Sequence, residues 1–202
     1  GSEMCIRDRY IGLENGLSNQ KIYYIQKDRR GYMWFLTQEG VDRYDGKYIK
    51  HYNFSDDSIK LDSRIALNWL YMDSGNILWV IGQKGRIFRY DSQHDKFKLA
   101  YIHPELIRNK PQAFLNYGYL DKNDRIWLCY KDSITWYDIR TGTTLHMPTP
   151  VNGEITAIEQ TDSNHFFIGT GNGLFHAGIE KGKLNIMPDK MVEGIGTSVH
   201  EL

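Results

Sequence analysis

Residues 28–46 read Asp28-Arg-Arg-Gly31-Tyr-Met-Trp34-Phe-Leu-Thr37-Gln-Glu-Gly40-Val-Asp-Arg-Tyr44-Asp45-Gly46, and they decide the fold because their signature returns along the chain. Trp34 to Thr37 is a short run of large and branched residues bounded by turn signals, which reads as a strand rather than a helix. Asp28-Arg-Arg-Gly31 before it and Asp45-Gly46 after it supply tight turns, in which the aspartate accepts backbone N–H groups and glycine takes a positive φ. With Ile22-Tyr-Tyr-Ile25 upstream, this unit is expected to hold strands near 21–27, 32–37, 41–45 and 48–52.

Working outward, the pattern recurs. Leu67 and Leu70 precede Asp73, Gly75, Trp79, Gly85 and Tyr90-Asp91. Leu115 precedes Asp121, Trp127 and Tyr137-Asp138, with Ser133 in the glycine column. Ile155 and Ile158 precede Phe167, Thr170, Gly173 and Leu174, with Thr161 in the aspartate column and no Tyr-Asp pair. Successive aromatic anchors, Trp34, Trp79, Trp127 and Phe167, lie 45, 48 and 40 residues apart. That period is the size of a four-stranded propeller blade and too long for a leucine-rich or ankyrin repeat.

The strands Ile77 to Ile81, Ile126 to Tyr130 and Phe166 to Thr170 are apolar on both faces of the pleat, as in sheets sandwiched between neighbours. Each blade then buries its faces only against adjacent blades. The anchor aromatics read as wedges between blades, each contributing about 2–3 kcal/mol of burial. The expected fold is an all-β partial β-propeller, an open arc of four four-stranded blades near 17–54, 62–102, 112–147 and 152–188. Ile195 to Leu202 repeats the spacing of Ile155 and Ile158 and is expected to begin a fifth blade. Residues 1–10 fit no pattern seen later and are expected to be non-native.

The 25 basic and 25 acidic residues cancel, so no long-range field favours nucleic acid or a membrane surface, and neither is an expected partner. Cys5 and Cys129 are too few for a disulfide framework or a metal knuckle.

Gly16-Leu-Ser-Asn19, Ile22, Ile25, Asp28, Gly31, Trp34, Thr37, Gly40 and Arg43-Tyr-Asp-Gly46 resemble the two-component-regulator propeller repeat, and Ile168-Gly-Thr170 with Gly173-Leu174 is similar to its second-strand motif. The resemblance covers about residues 12–202 and is weaker where Ser133, Thr161 and Ala177 depart from the pattern. It implies a sensor propeller from the periplasmic half of a hybrid two-component histidine kinase of Bacteroidetes-type bacteria, anchored in the inner membrane through parts outside this chain. It further implies a homodimeric parent, further blades as partners, and an oligosaccharide or other small molecule as the ligand. The alternative expectation is a protein-interaction or structural propeller without a small-molecule ligand.

Catalytic patterns find little support. The seven histidines are scattered singly, so no metal site is expected, and Gly169-Thr-Gly-Asn-Gly173 joins two strands instead of opening a helix, which removes a phosphate-loop reading. No Gly-x-Ser-x-Gly nucleophile elbow occurs. The segment is expected to be non-catalytic and to need no cofactor. Binding is expected at loops leading into each first strand and at hairpins between second and third strands. The candidate ligand-binding residues there are Asn19, Gln20, Gln38, Arg64, Trp69, Lys84, Lys131 and Asn172. Their amides and cations suit hydroxyl- or carboxylate-bearing ligands, and Trp69 offers an aromatic face.

Overall fold

The structure, a computed structural model, describes residues 10–54, 66–104 and 114–187. Blade 1 comprises β1 (Ile22–Lys27), β2 (Met33–Thr37), β3 (Gly40–Tyr44) and β4 (Ile49–Tyr52). Blade 2 comprises β5 (Leu67–Met72), β6 (Leu78–Gly82), β7 (Arg86–Asp91) and β8 (Lys96–Tyr101). Blade 3 comprises β9 (Tyr117–Leu120), β10 (Arg125–Cys129), β11 (Ser133–Asp138) and β12 (Thr144–Pro148). Blade 4 comprises β13 (Ile155–Gln160), β14 (His165–Thr170), β15 (Gly173–Glu180) and β16 (Lys183–Ile186). Every sheet is antiparallel with its strands in sequence order, so the fold is the expected all-β partial propeller of four blades. Of the segment expected to be non-native (1–10), residues 1–9 lie outside the described residues, as does the whole segment expected to begin a fifth blade (195–202).

The chain divides into two units, residues 1–102 with blades 1 and 2 and residues 103–202 with blades 3 and 4. Within the first, the core lies between the blades: Trp34, Leu36, Val41 and Tyr52 pack with Leu67, Leu70, Leu78, Val80 and Phe88. The first strands β1 and β5 run beside one another, as innermost propeller strands do. Trp34 is the expected wedge, its ring 4.8 Å from Tyr90 and 6.2 Å from Phe97 of the next blade. In the second unit β9 adjoins β13, and Trp127 meets Phe166 of blade 4 at 4.7 Å.

The turn aspartates explain why the wedges sit still. Asp28 Oδ1 accepts N–H bonds from Arg30 (2.9 Å) and Tyr32 (3.0 Å), while Oδ2 accepts the Trp34 indole N–H at 3.0 Å. Asp73 repeats this with Ile77 N (2.7 Å) and Trp79 Nε1 (2.8 Å), and Asp121 with Asn123 N (2.9 Å), Arg125 N (3.0 Å) and Trp127 Nε1 (2.9 Å). One carboxylate thus closes the first hairpin and fixes the tryptophan rotamer. The Tyr-Asp aspartates close the outer hairpins similarly: Asp45 accepts from Lys47 and Tyr48, Asp91 from Gln93, and Asp138 from Arg140 and Thr141.

Blade 4 corrects two expectations. Thr161 only returns its hydroxyl to His165 O (3.1 Å), and the neighbouring Asp162 ties the turn instead, accepting from Asn164 N and His165 N. Phe167 is no buried wedge: it stacks on His176 of its own blade at 5.1 Å, and β14 alternates between buried Phe166 and Ile168 and half-buried neighbours. The physical reason is position. Phe166 faces Trp127 of blade 3 at 4.7 Å, and side chains alternate along β14, so Phe167 lies on the opposite face of the pleat.

Candidate binding surfaces

At one end of blades 1, 2 and 4 the segment entering the first strand is tied to the hairpin between the second and third strands. Gln38 N donates to Lys21 O (3.2 Å) and Gln83 N to Ala66 O (2.7 Å), while Asn172 Nδ2 reaches Asn152 O at 3.4 Å. A β-bulge marks the same point in β1, β5 and β13, between Ile22 and Tyr24, Leu67 and Trp69, and Ile155 and Ala157. Bulges of this kind re-aim side chains at a sheet rim.

This end holds the candidates as follows. Gln20, Gln38, Lys131 and Asn172 are exposed, and Asn19 and Lys84 are half-buried. Asn19 turns its side-chain oxygen back to Lys21 N (2.7 Å), a local Asx bond. Lys84 stands in the left-handed region with φ 69°, held by the 3-10 turn Gln83–Gly85. Trp69 is 8 % exposed and belongs to the buried wall of blade 2. Arg64 lies outside the described residues. Asn19, Gln20 and Gln38 are brought beside one another in blade 1; no hydrogen bond among the described residues joins them to Lys84 of blade 2.

Beneath this rim lies a buried polar knot. Asp42, fully buried, accepts bonds from Ser18 N (2.7 Å), Ser18 Oγ (2.8 Å) and His51 Nδ1 (2.7 Å), and Ser18 Oγ also meets Thr37 Oγ1 at 2.9 Å. The Gly16-Leu-Ser-Asn19 stretch is thereby anchored to blade 1. Although serine, histidine and aspartate meet here, the carboxylate sits between the other two and the His51 Nε2 turns to Asn53, so the imidazole does not address the serine hydroxyl as a Ser-His-Asp triad requires.

The opposite end of the first unit holds a concavity the sequence did not reveal. A cleft of about 200 Å³ opens between blades 1 and 2, lined by the hairpins around Asp28 and Asn76, with Tyr32, Trp34, Met72, Tyr90 and Ser92 among its walls. It is backed by a charged cluster. Asp95 accepts hydrogen bonds from Arg43 (2.8 Å), Tyr52 (2.6 Å), Tyr90 (2.6 Å) and Lys50, and Arg43 also donates to the Tyr90 hydroxyl at 2.8 Å. The Arg43 guanidinium lies 4.8 Å from the Tyr32 ring centre, a cation–π distance. Burial opposes ionisation of Asp95, but bonds from Lys50, Tyr52 and Tyr90 outweigh it and hold the carboxyl well below the usual carboxylate range. Burial first, then the bond to Asp95, pushes the Tyr52 hydroxyl far above its ordinary value.

The comparisons agree with this architecture. Residues 16–39 match the model of the two component regulator propeller. No curated protein matches the chain in sequence. Among solved structures, the chain is similar to the extracellular domain described as that of a hybrid two component system from B. thetaiotaomicron, at 23 % identity and a TM-score of 0.67 over 89 % of this chain and 26 % of that one. It is also similar to virginiamycin B lyase from Staphylococcus aureus, at 16 % identity and a TM-score of 0.61 over 84 % of this chain and 56 % of that one. A third likeness is to an auxiliary nutrient binding protein from Bacteroides thetaiotaomicron, at 9 % identity and a TM-score of 0.55 over 82 % of this chain and 40 % of that one. The chain therefore spans about a quarter to just over half the length of these structures, and the likeness is one of fold. The matched residues 16–39 coincide with the strand-turn-strand core of blade 1 and its Asp28–Trp34 tie.

Proposed function

We propose that this chain is part of the ligand-sensing propeller in the periplasmic region of a hybrid two-component sensor kinase, and that the signal it reads is an oligosaccharide. The observation that carries the reading is the match of residues 16–39 to the two component regulator propeller, falling on the Asp28–Trp34 tie of blade 1. The fold shared with an extracellular domain of a hybrid two component system supports it. The segment binds without turning over its ligand, a reading supported by the Ser18, Asp42 and His51 geometry, in which the carboxylate locks the fold.

In this reading the parent is a homodimer anchored in the inner membrane, and further blades are this chain's first partners. Exposed Ile22, Tyr23 and Ile25 on β1 supply the apolar surface that a neighbouring blade covers. Calorimetric titration of the intact ectodomain with a panel of glycan-derived oligosaccharides tests the proposal. Saturable binding of one of them is expected; heat of dilution alone for every member overturns it.

A further inference from the structure

The cleft between blades 1 and 2 has an asymmetric polar lining. Its carboxylate, Asp28, is already engaged on both oxygens, one on Arg30 N and Tyr32 N and the other on the Trp34 indole. The Asn76 side-chain oxygen is likewise occupied, by Arg29 N at 2.9 Å. The Tyr90 hydroxyl gives its proton to Asp95 and receives one from Arg43. What remains without a partner among the described residues is the Arg30 guanidinium, the Asn76 amide nitrogen and the hydroxyls of Tyr32 and Ser92. Each of these carries a hydrogen to donate, and one of them is a permanent cation.

The walls are of the opposite character. Trp34, Met72, Ile77 and Leu78 present apolar surface beneath the donors. Drug-sized ligands fill roughly 300–1,000 Å³, so a cleft of about 200 Å³ admits one ring and not a chain. A small site whose one carboxylate is turned into its own hairpin, with a free guanidinium, further donors and an apolar wall, selects a ring bearing an anionic acceptor, and a guanidinium prefers a carboxylate in its plane.

We infer that the blade 1–blade 2 cleft binds the carboxylate of a single acidic sugar ring, a hexuronate unit, through Arg30, with Asn76 and Ser92 on the rim and the ring against the apolar wall. This rests on the reading above that the propeller senses a glycan, and it places recognition of an acidic unit at the end of the blades opposite the Asn19–Gln38 rim.

Saturation-transfer NMR on the full chain tests it, with D-glucuronate as the probe and D-glucose as its neutral twin. Saturable transfer from glucuronate and none from glucose is expected. The Arg30→Gln variant is expected to weaken glucuronate binding at least tenfold; its side chain is exposed and unpartnered, so the fold is untouched. No transfer from glucuronate, equal transfer from glucose, or unchanged affinity in R30Q overturns the assignment. An oligosaccharide that binds wild type and R30Q equally sinks the cleft and leaves the sensing reading standing. Glucuronate binding lost in R30Q, with no oligosaccharide bound by the ectodomain, does the reverse.

Discussion

Asp121 Oδ2 accepts the indole N–H of Trp127 at 2.9 Å while Oδ1 closes the hairpin six residues upstream, and both residues are buried. Arg125 shares that oxygen at 2.7 Å, so both oxygens of this buried carboxyl group are partnered. Replacing it with alanine leaves the indole, two backbone N–H groups and the arginine without their acceptor. Asp121→Ala is expected to destabilise the chain by about 3 kcal/mol, read as a lower urea midpoint at unchanged slope. A loss below about 1 kcal/mol contradicts the tie.

Asp95 is the corresponding knot between blades 1 and 2, drawing four side chains onto one carboxylate. Because its side chain is 39 % exposed, solvent screens part of the gain. Asp95→Ala is expected to cost about 2 kcal/mol in chemical unfolding and to broaden the NMR signals of Tyr52 and Tyr90. Arg43→Ala in the same background is expected to add little, since the pair acts together.

Acid is expected to loosen the fold. Asp45, Asp91, Asp95, Asp138 and Asp162 are all held below the usual carboxylate range: Asp45 by the backbone of Tyr48 and Lys47, Asp91 by Lys98 and His94, Asp162 by Asn164 N and His165, and Asp95 and Asp138 by hydrogen bonds that outweigh burial. A depressed folded-state value means the stabilisation is complete above the unfolded value of about 4 and is lost as pH falls below it. Circular dichroism melts are expected to hold steady from pH 7 to about pH 5 and to drop steeply below about pH 4. A flat profile down to pH 2 refutes this.

The Ser18 hydroxyl anchors the stretch before β1 to buried Asp42. Ser18→Ala removes one bond to a charged acceptor and is expected to cost about 1.5–3 kcal/mol, with faster amide exchange at Leu17 and Asn19. Unchanged exchange there contradicts the anchoring role.

How far the sequence foretold this depends on whether a bond is local. The Asp28–Trp34 tie spans six residues and falls inside one motif, so blade 1 was legible almost to the residue. The Arg43–Asp95 and Tyr52–Asp95 bonds span 52 and 43 residues and join different blades, and nothing in one repeat announces a partner in the next. The cleft is illegible for the same reason, since Tyr32 and Ser92 meet only after the blades dock. In blade 4 the tying carboxylate slid one place to Asp162, and a column-by-column reading saw only Thr161. Asn19 and Trp69 show the limit of residue type as a guide to binding: one bonds its own loop, and the other is walled into blade 2.

The central claim is that tryptophans recurring at blade spacing occupy equivalent buried positions, each tied by its own turn aspartate. Indole N–H exchange measures this directly, with assignments from Asp28→Ala, Asp73→Ala and Asp121→Ala. The Trp34, Trp79 and Trp127 indole protons are expected to exchange slowly, each released by the change at its own aspartate alone. Three indoles that exchange at the solvent-exposed rate, or that ignore those substitutions, contradict it.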